Sequence, residues 1–182
     1  MRRARGGSSP WALLASVLAA AAPLGARALE QRWDHRDQHG PLVEALLLHD
    51  TVAESGHATE SFWRPGLRLA YGFDVTGEGG ELSLGVQAAP PTSDPVRRGE
   101  LVSLDARYRG YFGLDEWKTF FEAGVWATVA TRFSIGPLLR IGLQYELSRN
   151  AGLFAALGFS TAFGEMRIAS VGGSVGAQLR FE

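Results

Sequence analysis

The segment "SVGGSVGAQLRFE", residues 170–182, has two chemically different faces. From Val171 to Phe181 every second residue is apolar or glycine, and the residues between them are Gly, Ser, Gln and Arg. A period of two residues predicts a β-strand with one apolar and one polar side. The segment alone does not say which side meets water, so the rest of the sequence has to decide that question.

The N-terminus has the charge and hydropathy pattern of a secretory signal peptide. "MRRARGG" carries three arginines and no acid, the almost wholly apolar "PWALLASVLAAAAPLG" follows, and "ARA" occupies residues 26–28. A membrane anchor is the alternative, but the apolar run is shorter than the roughly 20 residues of a spanning helix. Pro23 also interrupts it. We therefore predict cleavage after Ala28.

The amino-acid composition of the chain argues against several classes of function. Without residues 1–28 the chain keeps 14 Lys and Arg against 19 Asp and Glu, and no basic face is concentrated, so no nucleic-acid partner is expected. The absence of cysteine excludes disulfides and thiol chemistry. After Gly25 no apolar run approaches the length of a membrane helix. A membrane-spanning form of this chain would have to cross with strands.

The alternating pattern of the C-terminus recurs along the chain. It is found in "RPGLRLAYGF" from Arg64, "ELSLGVQA" from Glu81, "LVSLDARYRGYF" from Leu101, "TFFEAGVWATVA" from Thr119, "IGPLLRIGLQYEL" from Ile135 and "GLFAALGFSTAF" from Gly152. With residues 42–50, "LVEALLLHD", this gives eight strands, each near the roughly 9 to 11 residues of a tilted membrane strand. Residues 42–50 are apolar on both faces, and a helix of two turns is an alternative there.

The connections between these strands differ in length at the two ends. "DVTGEG", "GLDEWK" and "SRNA" fall at one end, and "TVAESGHATESF", "APPTSDPVRRGE", "TRFS" and "GEMRIA" at the other. Short periplasmic turns and longer outer loops are typical of outer-membrane barrels. We therefore expect both termini in the periplasm.

The positions of the glycines distinguish a membrane barrel from a soluble barrel that holds an apolar ligand. Eight glycines fall on the polar faces of the strands: Gly66, Gly72, Gly85, Gly124, Gly142, Gly158, Gly172 and Gly176. They would only weaken a water-facing surface, whereas the narrow interior of an eight-stranded barrel needs small residues beside long charged ones. The pattern therefore predicts that the polar face points inward. Aromatic residues near the strand ends of the apolar face indicate membrane interfaces.

The C-terminal strand, with its apolar alternation ending in Phe181, resembles the terminal signature of Gram-negative outer-membrane proteins. That resemblance implies recognition of Phe181 by the barrel-assembly machinery, although here Glu182 follows the aromatic residue. The chain as a whole is similar to small barrels of the OmpA, OmpX and OmpW type. The implied fold is an all-β, eight-stranded antiparallel up-and-down transmembrane barrel over residues 42–182, after a periplasmic arm at 29–41 and a signal peptide at 1–28.

The polar face carries the candidate site. If "GLDEWK" is the turn, Arg109 and Glu122 face each other across a hairpin, because residues equidistant from the turn centre pair. Arginines confined in a lumen need carboxylate partners. We therefore expect a closed lattice of ion pairs, with Glu44 or Glu81 completing the charge balance; its predicted members are Arg68, Asp105, Arg107, Arg109, Glu122, Arg140, Glu146 and Arg180.

The sequence assigns no catalytic residue, metal ligand or cofactor. "WDHRDQHG", residues 33–40, has His35 and His39 near acids, but its spacing matches no ligand motif. The resemblance implies a structural, membrane-stabilising or surface-interaction role, with outer-membrane lipid and lipopolysaccharide as partners. The alternatives are a narrow transporter of small molecules and a lipid A-modifying enzyme. In such an enzyme the candidate catalytic residues are His49, His57, Ser55 and Ser61. The oligomeric state is left open.

Overall fold

The computed structural model describes residues 37–54, 59–75, 80–90, 101–112, 116–129 and 132–182. They form eight strands: β1 (His39–Glu54), β2 (Glu60–Asp74), β3 (Glu81–Ala89), β4 (Leu101–Phe112), β5 (Trp117–Thr128), β6 (Ser134–Ser148), β7 (Ala151–Gly164) and β8 (Met166–Leu179). The predicted signal peptide, its cleavage site after Ala28 and most of the predicted arm lie outside the described residues, so they stay predictions.

The strands close into one antiparallel barrel. Each strand pairs with its neighbours in sequence, and β1 pairs with β8 from Leu42 opposite Gln178 to Glu54 opposite Met166. Closure gives every strand two paired neighbours, so none of the eight is an edge strand. The predicted eight-stranded up-and-down barrel is confirmed. In the part of the chain that the structure describes, no helix has the length and hydropathy to span a membrane.

Residues 42–50 are a strand, and the helical alternative is wrong. They lie within β1, which begins at His39, three residues before the predicted start of the barrel. Leu42 and Leu46 are buried, whereas Val43 and Leu47 are exposed on the outside. β1 is apolar on both faces because the barrel interior contains clusters of apolar side chains as well as charged ones.

The exterior of the barrel is apolar and the interior carries most of the charge. Many large aliphatic side chains are exposed on the outside, among them Leu67, Leu69, Leu84, Val86, Leu104, Val125, Leu139, Ile141, Leu157 and Val175. Their sequence neighbours of opposite parity, such as Arg68 and Asp105, are buried. A water-soluble barrel has the opposite arrangement. The prediction that the polar face points inward is therefore confirmed.

The two ends of the barrel are named by their connections. The turn end holds His39, the C-terminus and the connections after β2, β4 and β6; the loop end holds the other four connections. Exposed aromatic side chains occur near both, with Trp63, Phe133 and Phe163 toward the loop end and Phe112, Trp117 and Phe181 toward the turn end. Two such belts are typical of the interfaces of a membrane-spanning barrel.

Several loop-end connections are shorter than the sequence predicts. Thr51–Glu54 continue β1, Glu60–Phe62 belong to β2, and Met166–Ala169 begin β8, so that only Glu165 connects β7 to β8. The predictions were wrong here because backbone groups keep pairing along a hairpin whatever side chains they carry. The longest interval between consecutive strands, from the end of β3 at Ala89 to the start of β4 at Leu101, separates strand ends at the loop end.

Glycine makes room for two interior arginines. A Cβ atom at Gly85 would lie 2.7 Å from Nε of Arg68, and one at Gly158 would collide with the side chain of Arg140. Any larger residue at these positions would displace a guanidinium group or its stem. Gly85 and Gly158 are therefore part of the charged site.

Candidate functional site

Seven charged side chains meet near the middle of the barrel interior. This central cluster consists of Glu44, Arg68, Asp105, Arg107, Arg109, Glu122 and Arg140, from β1, β2, β4, β5 and β6. Alternation along each strand points these side chains inward, and closure of the barrel brings the five strands around them. All but Arg140, which is partly buried, are buried.

Arg68 binds Asp105 with a fork of hydrogen bonds. Its Nε donates to Oδ1 and Oδ2 of Asp105 at 3.0 and 2.9 Å, and its Nη2 donates to Oδ1 at 2.6 Å. Nη2 also donates to the Ser83 hydroxyl at 3.1 Å. Multiple charge-assisted bonds of this kind fix geometry as well as charge. This pair ties β2 to β4 across β3.

Arg109 and Glu122 are directly opposite in the register of β4 and β5. Nε and Nη2 of Arg109 donate to Oε1 of Glu122 at 2.8 and 2.6 Å, and Nη1 donates to Gln144 at 3.1 Å. The guanidinium group also lies 4.3 Å from the ring centre of Phe120 and 4.6 Å from that of Phe154. Cation–π contacts in a desolvated site add to the ion pair.

Arg107 and Arg140 connect these pairs into one lattice. Arg140 lies 2.9 Å from Oε2 of Glu122 through Nη1, and its Nη2 contacts Glu44. Arg107 lies 3.0 Å from Oδ1 of Asp105 through Nε and 3.6 Å from Oε2 of Glu44 through Nη1. Each carboxylate of the central cluster therefore contacts at least two arginines.

Glu146 and Arg180, also predicted members of the lattice, lie in a group at the turn end. Gln144 joins this group to the central cluster, because it accepts from Arg109 and donates to Glu146 at 2.7 Å. Nη1 of Arg180 donates to Oε2 of Glu146 at 2.8 Å, and Lys118 Nζ lies 3.8 Å from Oε1 of the same carboxylate. Gln178 donates to Glu81 at 2.7 Å in the same region. Of the two candidates for charge balance, Glu44 belongs to the central cluster and Glu81 to this turn-end group.

The structure adds a third charged group that the sequence reading missed. Near the loop end, Nη2 of Arg64 lies 2.5 Å from Oδ2 of Asp50, and the Ser170 hydroxyl donates to Oδ1 of Asp50 at 2.5 Å. Alternation along β1 and β2 places Asp50 and Arg64 on the inward face. The pair was not predicted from the sequence because β1 is apolar on both faces and Arg64 is the first residue of its predicted strand.

Two apolar clusters share the interior with the charged groups, so the interior is not uniformly polar. Toward the turn end, Leu42, Phe120, Phe154 and Ala156 pack together. Toward the loop end, Trp126, Leu138, Ala162 and Ile168 form the second cluster. The sequence predicted the lattice of ion pairs but not these apolar clusters beside it. Side chains of both kinds fill the narrow space that eight strands enclose.

The residues considered for catalysis do not form a Ser–His pair where the structure describes them. His49 packs edge-on against Trp63 on the outside of the barrel, with ring centres 5.0 Å apart, and Ser61 forms a 3.0 Å hydrogen bond with Thr51. Ser55, His57 and His35 lie outside the described residues. Within the described ranges, no three His, Asp or Glu side chains are grouped so as to hold a metal ion.

Phe181, the predicted assembly signal, lies beside the barrel seam. Its backbone N–H donates to the carbonyl of His39 at 2.7 Å, and the N–H of His39 donates back at 3.0 Å. Its side chain is about half exposed on the outside. This position leaves the aromatic ring accessible just beyond the C-terminal end of β8.

Comparisons with known proteins identify the fold. The barrel is similar to the crystal structure of Neisserial surface protein A, with a TM-score of 0.58 and 17% sequence identity, over 79% of this chain and 99% of that one. Similarity to Ail of Yersinia pestis is weaker, with a TM-score of 0.48 and 15% identity over 80% of this chain and 99% of that one. For the outer membrane protein OprG from Pseudomonas aeruginosa the TM-score is 0.43 and the identity 12%, over 84% of this chain and 100% of that one. No protein-family model and no curated protein matches the sequence. The chain has the architecture of small outer-membrane barrels.

Proposed function

We propose that the protein is an outer-membrane barrel with a structural, membrane-stabilising or surface-interaction role and a closed interior. The observation that carries this proposal is the filling of the barrel by the central cluster and the two apolar clusters. A barrel whose interior is packed in this way presents its outer surface and its loops, rather than a passage, to its surroundings.

The contents of the interior argue against a transporter. Eight strands enclose little more than the volume of their own inward side chains. Here that volume holds large residues such as Arg68, Phe120, Arg180 and Gln144, all less than 2% exposed. A conducting path would have to separate ion pairs and aromatic contacts that support one another, and leaving one of those charges unpaired in a buried site is costly.

The exterior supports outer-membrane lipid and lipopolysaccharide as the immediate partners. Exposed aliphatic side chains cover the middle of the strands, and exposed aromatic residues lie near both ends. Surfaces of this kind match the hydrocarbon core and its two interfaces. Accessible Phe181 at the barrel seam supports recognition by the barrel-assembly machinery, with both termini in the periplasm.

Planar-bilayer recording tests the closed interior. The wild-type protein should give no steady open conductance, whereas Arg109→Ala and Glu122→Ala should raise the leak because each unpairs a buried charge. Leu139→Ala is the matched control, since Leu139 faces outward and is exposed. A stable, ion-selective pore in the wild type would contradict the proposal and favour the transporter.

A lipid profile tests the enzymatic alternative. Cells with and without the protein would be compared for their lipid A species by mass spectrometry. A structural barrel leaves the acyl chains of lipid A unchanged, whereas a lipid A-modifying enzyme changes their number or length. A change that disappears in His49→Ala cells would replace the structural role with catalysis.

A further inference from the structure

The central cluster contains one more cation than anion. Its four arginines are Arg68, Arg107, Arg109 and Arg140, and its carboxylates are Glu44, Asp105 and Glu122. The other buried charged side chains of the described residues are balanced, and partly buried Asp74 lies at the turn end beside Glu81 and Arg180. Asp50 faces Arg64 at the loop end, and Glu81 and Glu146 accompany Lys118 and Arg180 at the turn end. The surplus positive charge therefore belongs to the central cluster.

A cavity of about 50 Å³ adjoins this surplus charge. Its polar lining consists of Arg64, Gln87, Arg107, Arg140 and the hydroxyl groups of Ser160, Ser170 and Ser174, and the lining includes no carboxylate. The volume exceeds the roughly 10 to 15 Å³ that a single water-sized occupant requires. Three guanidinium groups line this space together with apolar side chains such as Leu46 and Leu138, and the carboxylates that pair with the arginines lie outside the lining. An anion in the cavity would therefore be nearer to the positive than to the negative partners.

Two of the lining arginines have nitrogen atoms without a hydrogen-bond partner. Nη1 of Arg107 makes no hydrogen bond, and its carboxylate neighbours are 3.6 Å away at Glu44 and 3.9 Å away at Glu122. Nε of Arg64 also makes none. Arg107 is only 4% exposed. Buried donors of this kind are costly when unsatisfied, so a charged acceptor in the cavity would stabilise them.

We propose that the cavity binds one small monovalent anion of the halide class. A single negative charge equals the surplus of the central cluster, and a spherical ion of one charge suits a space of this volume. Arg107 and Arg64 would supply charge-assisted donors, and the Gln87 amide and the hydroxyl groups of Ser160 and Ser174 would complete the coordination; the Ser170 hydroxyl donates to Asp50 instead. The site goes beyond the proposed structural role, because it makes barrel stability depend on a specific ion.

Bromide locates the site directly. Crystals of the wild-type barrel grown in bromide and measured at the bromine absorption edge should show an anomalous peak in the cavity between Arg64 and Arg107. The peak should be absent from Arg107→Gln crystals grown under the same conditions. Wild-type crystals without anomalous density in the cavity would overturn the proposal and leave ordered water as its occupant.

Thermal unfolding in detergent tests the same site in solution. At constant ionic strength, replacing gluconate by chloride should raise the unfolding temperature of the wild type along a saturable binding curve, as mass action requires for a ligand of the folded state. Arg107→Gln should lose this dependence. The matched control Lys118→Gln removes a buried cation at the turn end, outside the cavity lining, and should keep it.

The crystallographic and the thermal measurements test the site independently. If Arg107→Gln does not fold, the bromide peak in the wild type decides the question alone. Equal stabilisation by chloride in the wild type and in Arg107→Gln would mean a salt effect unrelated to the cavity. That result, like an empty cavity in bromide, would contradict the proposal.

Discussion

Arg109 on β4 and Glu122 on β5 face each other across a hairpin, with 2.6 Å between Nη2 and Oε1. Both side chains are buried, and Phe120 and Phe154 cover the guanidinium group. In so dry a site the attraction is strong, but removal of either partner leaves a charge without solvent or counter-ion. The pair is therefore a sensitive probe of how the interior is held together.

Arg109→Met should destabilise the barrel by about 3 to 5 kcal/mol, because it leaves Glu122 with fewer cations in a buried site. Unfolding in urea, followed by gel mobility and by circular dichroism, measures the free energy. The double variant Arg109→Met/Glu122→Met should be less destabilised than the sum of its two single variants. Strictly additive effects would mean that the two side chains do not interact in the folded barrel.

Leu138→Ala and Leu139→Ala should have very different effects, although the two leucines are adjacent. Leu138 packs with Trp126 inside the barrel, and its truncation should cost about 2 to 5 kcal/mol by loss of contacts and creation of a cavity. Leu139 is exposed on the outside, where lipid or detergent replaces the lost atoms. Urea titration of both variants gives the ranking, and the reverse order would invert the assignment of faces.

Leu139→Arg should cost about 2 to 4 kcal/mol, since it places a charge on the lipid-facing surface near the middle of β6. Phe163→Arg is the matched control near the loop end, where the expected cost falls to about 0 to 1 kcal/mol. Both would be measured by equilibrium unfolding in lipid vesicles. Equal costs at the two depths would argue against a membrane-spanning orientation of these strands.

Unboiled protein in detergent should migrate faster on a denaturing gel than boiled protein. The closed hydrogen-bond ladder offers no free edge from which unfolding can start, so the barrel stays compact until it is heated. A temperature series on the same sample locates the transition. Identical mobility at every temperature would contradict a closed barrel.

Phe181→Ala should reduce the amount of folded, heat-modifiable protein in outer membranes if Phe181 is the assembly signal. Deletion of Glu182 is the matched control, because its ion pair with Arg149 is largely exposed and contributes little to stability. Quantitative gels of membrane fractions measure both variants. Equal assembly of Phe181→Ala and wild type would remove this residue from the recognition step.

Strand number, barrel topology and the inward polar face could be predicted because each depends on a local regularity. Alternation is fixed by the backbone: successive side chains of a strand point to opposite sides, as Leu139 and Arg140 do. Glycine then identified the crowded side, and Gly85 beside Arg68 shows why. The pairing of Arg109 with Glu122 followed from their equal distances from one turn.

The grouping of the interior side chains depended on the closed barrel. Arg140 contacts Glu44, and Gln178 binds Glu81, across sequence distances that no local pattern encodes. The stagger between strands decides which inward side chains share a level, and it is set cooperatively by all eight pairings. For this reason the sequence determined which residues point inward, whereas the tertiary structure alone decided which of them contact one another in ion pairs and apolar clusters.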